Sequence, residues 1–258
     1  MYTAFQIQFD KLADMIEKAI EVEWESLSPI EAWRIRHFAK IAKMFDSFSM
    51  MMTKTRDYVS ACAIIRMIYD NWYSYLWIYE FSDGDDVLLR YYLYVLDSIK
   101  QREKTILLMH EDNPVDPQLK SLLAHATADC EEAKRQFCTA IKKLPVYRDY
   151  HANIKKAWQS NNSWRYKDIK ATNLEYYNWS GLYERISSKE TRAFLSYLSQ
   201  YVHGLYASSL TIVPTEAEML YVLGEAQSLI MSINLYLADN PLRGMKLFLI
   251  NEHYHNKK

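Results

Sequence analysis

The chain has 258 residues, half of them hydrophobic and 14% aromatic, and its formal net charge is -1. Only 5 glycines and 6 prolines are present, whereas a β-sandwich or a doubly wound sheet needs many more turn residues. The near-zero charge gives no overall attraction to nucleic acid or to an acidic membrane surface. The composition therefore predicts an all-α protein, a helical bundle of about seven helices that forms a single domain over 1–258.

Capping signals define the first three helices. Ser28-Pro29-Ile30-Glu31 has the pattern of a capping box with proline at the first helical position, which predicts a helix from Pro29 to about Phe48. The first helix should then end near Ser26. A third helix is expected from about Thr55 to Phe81, because the turn-forming residues 82–85 follow it.

The later helices follow from similar signals. We expect a fourth helix from Asp85 to about His110 and a fifth from Pro117 to about Lys143. Two more capping boxes, at 187–190 and 215–218, predict helices over 188–209 and 216–238. The stretch 144–181 lacks helical periodicity and is predicted to be an irregular excursion, and the tail 251–258 is predicted to be frayed.

The third helix is apolar on nearly every side, which is typical of a central helix. Arg66 and Asp70 lie four residues apart on it, so their side chains should share one face and be buried together. A buried ion pair needs further hydrogen-bond partners. We therefore expect polar groups from another helix beside these two residues.

The helix after Ser188 offers such groups. Arg192, Ser196, Ser199 and His203 recur at spacings of four, three and four residues, which places them on one face. If this helix packs on the third, the candidate binding residues are Arg66, Asp70, Tyr197, Ser199 and His203. Three interpretations stay open: the cluster fixes the helix register, it binds a ligand, or it catalyses a reaction with His203 as the candidate catalytic residue.

Other catalytic and metal sites find little support in the sequence. In a Ser-His-Asp arrangement, Ser199 would lie in mid-helix without free backbone amides for an oxyanion hole. The sole Glu-x-x-His, Glu252 to His255, lies in the tail without a partner motif, so the sequence predicts no metal and no cofactor.

The cysteines and the hydropathy of the sequence indicate the cellular compartment of the protein. Three scattered cysteines in helical segments, and a start without a basic and apolar leader, favour the cytoplasm. The most apolar stretch, Tyr58 to Phe81, carries charges near its middle, so no membrane span is predicted.

A basic, aromatic-rich stretch is the second candidate site. Between Lys134 and Lys170 there are ten basic and two acidic side chains, a net of +8, interleaved with aromatic residues. Cations beside stacking rings are what single-stranded nucleic acid requires. The candidate residues are Lys155, Lys156, Trp158, Trp164, Arg165, Lys167 and Lys170. A solvated basic face with aromatic rings as buried anchors is the favoured alternative, so nucleic acid is the less favoured partner.

Two segments carry a resemblance to known proteins. Residues 61–70, with Arg66-x-x-x-Asp70, and residues 197–204, with Tyr197-x-Ser199-x-x-x-His203, resemble a bacterial all-helical family of unknown function. The late helix of that family carries Tyr-x-x-Ser-x-x-x-His, so the tyrosine of this chain lies one position closer to the serine. The resemblance implies a helical fold and a shared polar site at Arg66, Asp70, Ser199 and His203. A more distant similarity is to the HEPN helical superfamily, whose ribonucleases carry Arg, four to six residues, then His. This chain lacks that spacing.

These observations favour a non-enzymatic binding or regulatory protein whose partner is an unidentified ligand or protein. The alternative is an enzyme that acts on nucleic acid or on a small molecule through His203. The sequence leaves the oligomeric state open.

Overall fold

The computed structural model describes residues 2–21, 23–82, 84–112, 117–161, 163–203 and 213–243. These residues form nine α-helices and contain no β-strand, so the all-α prediction is confirmed, while the expected number of about seven helices is too low. The helices are α1 (Tyr2–Ile20), α2 (Pro29–Met50), α3 (Tyr58–Tyr79), α4 (Asp85–Asp112), α5 (Pro117–Lys143), α6 (Pro145–Gln159), α7 (Trp179–Ile186), α8 (Lys189–Val202) and α9 (Glu216–Asp239). Two predicted features, the tail 251–258 and the end of the 188–209 helix, lie outside the described residues.

The chain divides into two compact units. Unit 1 comprises Met1–Ser74 and Ser187–Lys258, and unit 2 is the intervening segment Tyr75–Ile186. Unit 1 is therefore discontinuous in sequence, whereas unit 2 is a single stretch. That the chain is a single domain stays a prediction.

Two of the three predicted capping boxes are present, whereas the one predicted at 187–190 is replaced by a single cap in which the Ser188 hydroxyl accepts from the Thr191 amide. The Ser28 hydroxyl accepts from the Glu31 amide, and the Glu31 carboxylate accepts from the Ser28 amide, so α2 starts at Pro29 as expected. Thr215 and Glu218 make the same reciprocal pair at the start of α9. Hydrogen bonds to the capping serine and threonine hold the pKa of both glutamates below the ordinary value. These starts are fixed by local chemistry.

The start of α3 is later than predicted. A π-helical turn, Met51–Thr55, continues α2 and ends at Arg56, whose φ of 54° lies in the left-handed region. Asp57 then caps α3, because its carboxylate accepts from the Ser60 amide at 3.0 Å. The helix thus begins at Tyr58 rather than Thr55, since the left-handed residue cannot continue a right-handed helix.

The stretch 144–181, predicted as an irregular excursion with short helical pieces, contains a longer helix than expected. It contains α6, which has Pro145 at its first position, and the beginning of α7. Tyr150 has a non-helical backbone, with φ of -125° and ψ of 29°, so α6 is bent there. The bend changes the direction in which the following side chains point. The apolar residues before and after Tyr150 therefore do not follow one helical period in the sequence. The described residues of this stretch after α6, 160–161 and 163–178, are irregular apart from the short 3-10 turn Ser163–Arg165.

Each unit has its own buried apolar residues. In unit 1, α1 packs on α2 and α9, and Phe5 lies with its ring 5.6 Å from that of Phe48. In unit 2, α5 packs on α4 through Ile106, Leu123 and Cys130, and the Ser163–Arg165 turn packs on α4. Burial of this kind of apolar surface is the main stabilising contribution to such folds.

The expectation that α3 is central agrees with its burial. Met67, which is 49% exposed, is the one exposed residue in the whole of α3. The other side chains of the helix are buried or half-buried on all sides.

Candidate functional site

Arg66 connects α3 to α8 in unit 1. Its Nη1 donates to the backbone carbonyl of Leu195 at 2.8 Å and to the hydroxyl of Ser199 at 2.9 Å. The Ser199 hydroxyl in turn donates to the same Leu195 carbonyl at 2.8 Å. The predicted meeting of the two polar stripes is therefore confirmed for Arg66 and Ser199, and their polar atoms satisfy one another.

Asp70 completes the charge balance of this cluster. Its carboxylate lies 3.1 Å from Nε of Arg66, one helical turn away. The Arg66 side chain is 13% exposed, whereas that of Asp70 is 31% exposed. The two residues pair as expected, but both are half-buried rather than buried, and the aspartate is the more exposed of the two.

Tyr197 belongs to a separate chain of hydroxyl groups. Its hydroxyl lies 2.6 Å from that of Tyr58 on α3 and 3.0 Å from that of Tyr201 on α8. Burial raises the pKa of both Tyr58 and Tyr197, so these phenols stay neutral at ordinary pH. Burial, countered by a hydrogen bond with Tyr58, also raises the pKa of Cys62 to about 12. These groups pack α3 and α8 together and are poor nucleophiles.

His203 lies apart from the cluster. It follows Val202, the last residue of α8, and its side chain is exposed. Its backbone amide bonds to the Ser199 carbonyl, but its imidazole has no hydrogen-bond partner among the described residues. The sequence placed His203 on the helical stripe because a four-residue spacing was assumed to continue, but the helix ends at this point. Ser196 of the same stripe is also exposed.

The arrangement has little capacity for catalysis. A nucleophilic serine needs a base that accepts its proton, whereas the Ser199 proton is donated to a backbone carbonyl within its own helix. The candidate base His203 does not contact it. The hydrogen bonds of Arg66 and Ser199 join α8 to α3, which is what the first interpretation, a cluster that fixes the helix register, requires.

The seven candidate nucleic-acid-binding residues differ in their exposure to solvent. Trp164 and Arg165 are buried, at 4% and 5% exposure, so these two side chains are unavailable to a polymer. Lys167 is exposed but forms a 2.7 Å salt bridge with Glu175. Lys155 and Lys156 are exposed on α6, Lys170 is exposed, and Trp158 is half-buried. The alternative that the aromatic rings are anchors therefore applies to Trp164.

Arg90 in unit 2 was not singled out by the sequence analysis. It is 3% exposed and pairs through Nε with Asp86 at 2.9 Å. Its Nη1 donates to the carbonyls of Trp164 and Tyr166, at 3.2 and 2.8 Å. The i, i+4 spacing of Asp86 and Arg90 is the same signal that identified Arg66 and Asp70, and it would have been found by the same criterion.

Arg90 also lies between two aromatic rings. Its guanidinium carbon is 4.5 Å from the centre of the Trp77 ring and 3.9 Å from that of Tyr166. The Tyr166 hydroxyl donates to Asp86, which joins both residues to the same carboxylate group. Arg90 therefore anchors the irregular 163–166 segment to α4.

The described ranges contain neither a candidate metal site nor a candidate membrane span. No group of three or more histidine, cysteine, aspartate or glutamate side chains there could hold a metal ion. Likewise, no helix in this part of the chain is long and apolar enough to cross a membrane.

Comparison with known proteins yields no relative: the chain matches no protein-family model, no curated protein and no solved structure.

Proposed function

We propose that the protein is a non-enzymatic binding or regulatory module, a helical bundle that works in the cytoplasm. The observation that carries this proposal is the Ser199 hydroxyl, which donates to Leu195 and accepts from Arg66, and so is not activated by a base. Free Cys62, Cys130 and Cys138 support a reducing compartment. The cluster then keeps the α3–α8 packing in one register for a partner that binds elsewhere.

The proposed relationship to the bacterial all-helical family rests on the same contact. Arg66 and Asp70 come from the first of the two resembling segments, and Ser199 comes from the second. Two short motifs that are far apart in the chain thus meet through a hydrogen bond. A relationship to the HEPN superfamily has no comparable support, because its Arg-x4-6-His spacing is missing.

The competing function is an enzyme that acts on nucleic acid or a small molecule through His203. The test compares the wild type with His203→Gln, using labelled RNA, an activated ester and a phosphomonoester as substrates. We expect no turnover by either protein and no change in the melting temperature, because His203 is exposed. Turnover by the wild type that is lost in folded His203→Gln would overturn the proposal.

A further inference from the structure

Arg165 carries a buried positive charge with incomplete hydrogen bonding. The residue is 5% exposed, and its Nε and Nη1 atoms are buried without a hydrogen-bond partner among the described residues. A guanidinium has five N–H donors and stays charged in proteins. Since buried charges in proteins are normally paired and hydrogen-bonded, Arg165 is an exception that needs a physical explanation.

The surroundings of Arg165 provide aromatic faces. Its guanidinium carbon lies 4.9 Å from the centre of the Trp179 ring and 5.7 Å from that of Trp164. Cation–π contacts stabilise the charge, but a ring face offers no acceptor oxygen to an N–H group. Burial lowers the pKa of Arg165, while the carboxylate of Asp97 opposes this shift. No salt bridge joins Arg165 to a carboxylate in the described parts of the chain.

The backbone around Arg165 is held on both sides. Arg90 binds the carbonyls of the residues before and after it, and the Arg165 carbonyl accepts from the Tyr177 amide at 2.9 Å. The Ser163 hydroxyl donates to the Leu93 carbonyl on α4. This segment cannot move outward to hydrate the guanidinium without breaking these bonds. The side chain is therefore preorganised in its buried position.

We propose that Arg165 binds an oxyanion, a carboxylate or phosphate group, in the aromatic slot formed with Trp164 and Trp179. The planar guanidinium fork matches the oxygen geometry of both groups and prefers them to a spherical anion. Trp179 is half-buried, so its ring is the part of this group that contacts solvent. The inference rests on the proposed binding function and names its ligand class, at a site separate from the Arg66 cluster.

The experiment titrates the full chain with sodium phosphate and, separately, sodium acetate, while sodium chloride keeps the ionic strength constant. Tryptophan fluorescence reports on the slot, and isothermal calorimetry gives the affinity. Arg165→Met removes the charge and keeps an apolar side chain, and Arg185→Met is the matched control because Arg185 is exposed on α7. Arg165→Lys keeps the charge without the fork and should bind roughly tenfold more weakly.

We expect a saturable response in the wild type and in Arg185→Met and none in Arg165→Met. The anion with the larger response distinguishes phosphate from carboxylate. The melting temperature of Arg165→Met without anion shows whether the variant is folded, which a lost response requires. The absence of a response in the wild type, or an equal response in Arg165→Met, would overturn the inference. Neither result would bear on turnover, which tests the proposed function separately.

Discussion

Arg66 and Ser199 donate to the same acceptor, the backbone carbonyl of Leu195, from two different helices. They are separated by 133 positions in the sequence. A carbonyl in mid-helix normally receives a single bond from its own helix, so this additional coordination marks the contact between α3 and α8. The contact is the basis of the first prediction.

Ser199→Ala should lower the free energy of unfolding by about 1 kcal/mol, because Arg66 loses one of its acceptors. Ser196→Ala is the matched control, since Ser196 is exposed on the same helix and gains the same helix propensity. Its effect should stay within about 0.5 kcal/mol. Urea denaturation of both variants gives the two values. Equal values would show that the Arg66 contact contributes nothing.

Arg90→Met should be more severe, at about 3 to 5 kcal/mol, because it removes the buried guanidinium and leaves the half-buried Asp86 carboxylate and two backbone carbonyls without their donor. Arg102→Met on the same helix is the control, since Arg102 is exposed. Thermal and chemical denaturation measure the loss, and near-ultraviolet circular dichroism follows the packing of Trp77 and Trp164. A loss for Arg90→Met as small as that for Arg102→Met would contradict the proposed anchoring role.

His37 should make unit 1 sensitive to mild acid. It is 5% exposed and Nε2 donates to the Asn71 carbonyl at 3.0 Å. Burial lowers its pKa to about 4, with Lys40 acting in the same direction and the Asn71 bond opposing it. In the unfolded chain the pKa is about 6.5. Between that pH and about pH 4 the unfolded state binds a proton that the folded state does not bind. The free energy of unfolding therefore decreases as the pH is lowered through this range.

The expected loss from His37 between about pH 7 and about pH 5 is about 2 kcal/mol. His37→Gln keeps an N–H donor and removes the titration, so the pH dependence of its unfolding free energy should be weaker by this amount. Denaturant unfolding at the two pH values measures it. Parallel curves for the two proteins would mean that His37 is protonated in the folded state as readily as in the unfolded one.

Nucleic-acid binding should be weak. The exposed basic residues Arg148, Lys155 and Lys156 lie on α6, and three phosphate contacts would give a salt slope of roughly -2 for single-stranded RNA. Fluorescence anisotropy of labelled RNA gives this slope, and Lys155→Ala should reduce it by about 0.7, with Lys54→Ala as a control. A much steeper slope would indicate a larger basic surface than α6 offers.

Sequence alone was sufficient where the determinants are local. The Ser28 and Thr215 caps depend on residues three positions away, and the helices they open start at the predicted residues. Arg66 and Ser199 were paired correctly because a polar group on an apolar helix face requires a partner.

The sequence alone was insufficient where contacts between distant residues determine the conformation. The bend at Tyr150 hid α6, since a change of direction within a helix cannot be read from spacing. The burial of Trp164 and Arg165 depends on Arg90, which is more than seventy positions away. His203 was misplaced because the four-residue stripe was extended through it, although α8 ends at Val202 and the sequence has a glycine, Gly204, directly after the C-cap residue.

The discontinuity of unit 1 has a consequence for its synthesis. Residues of Tyr75–Ile186 leave the ribosome after α1 and α2 but before α8 and α9. At about 5 to 20 residues per second, synthesis of the 133 residues that separate Arg66 from Ser199 takes roughly 7 to 27 s. Unit 2 can fold during that interval. The apolar surface of α3 that packs on α8 stays exposed until α8 has been synthesised. A chaperone that protects nascent chains would therefore act on α1–α3 rather than on the later-made helices.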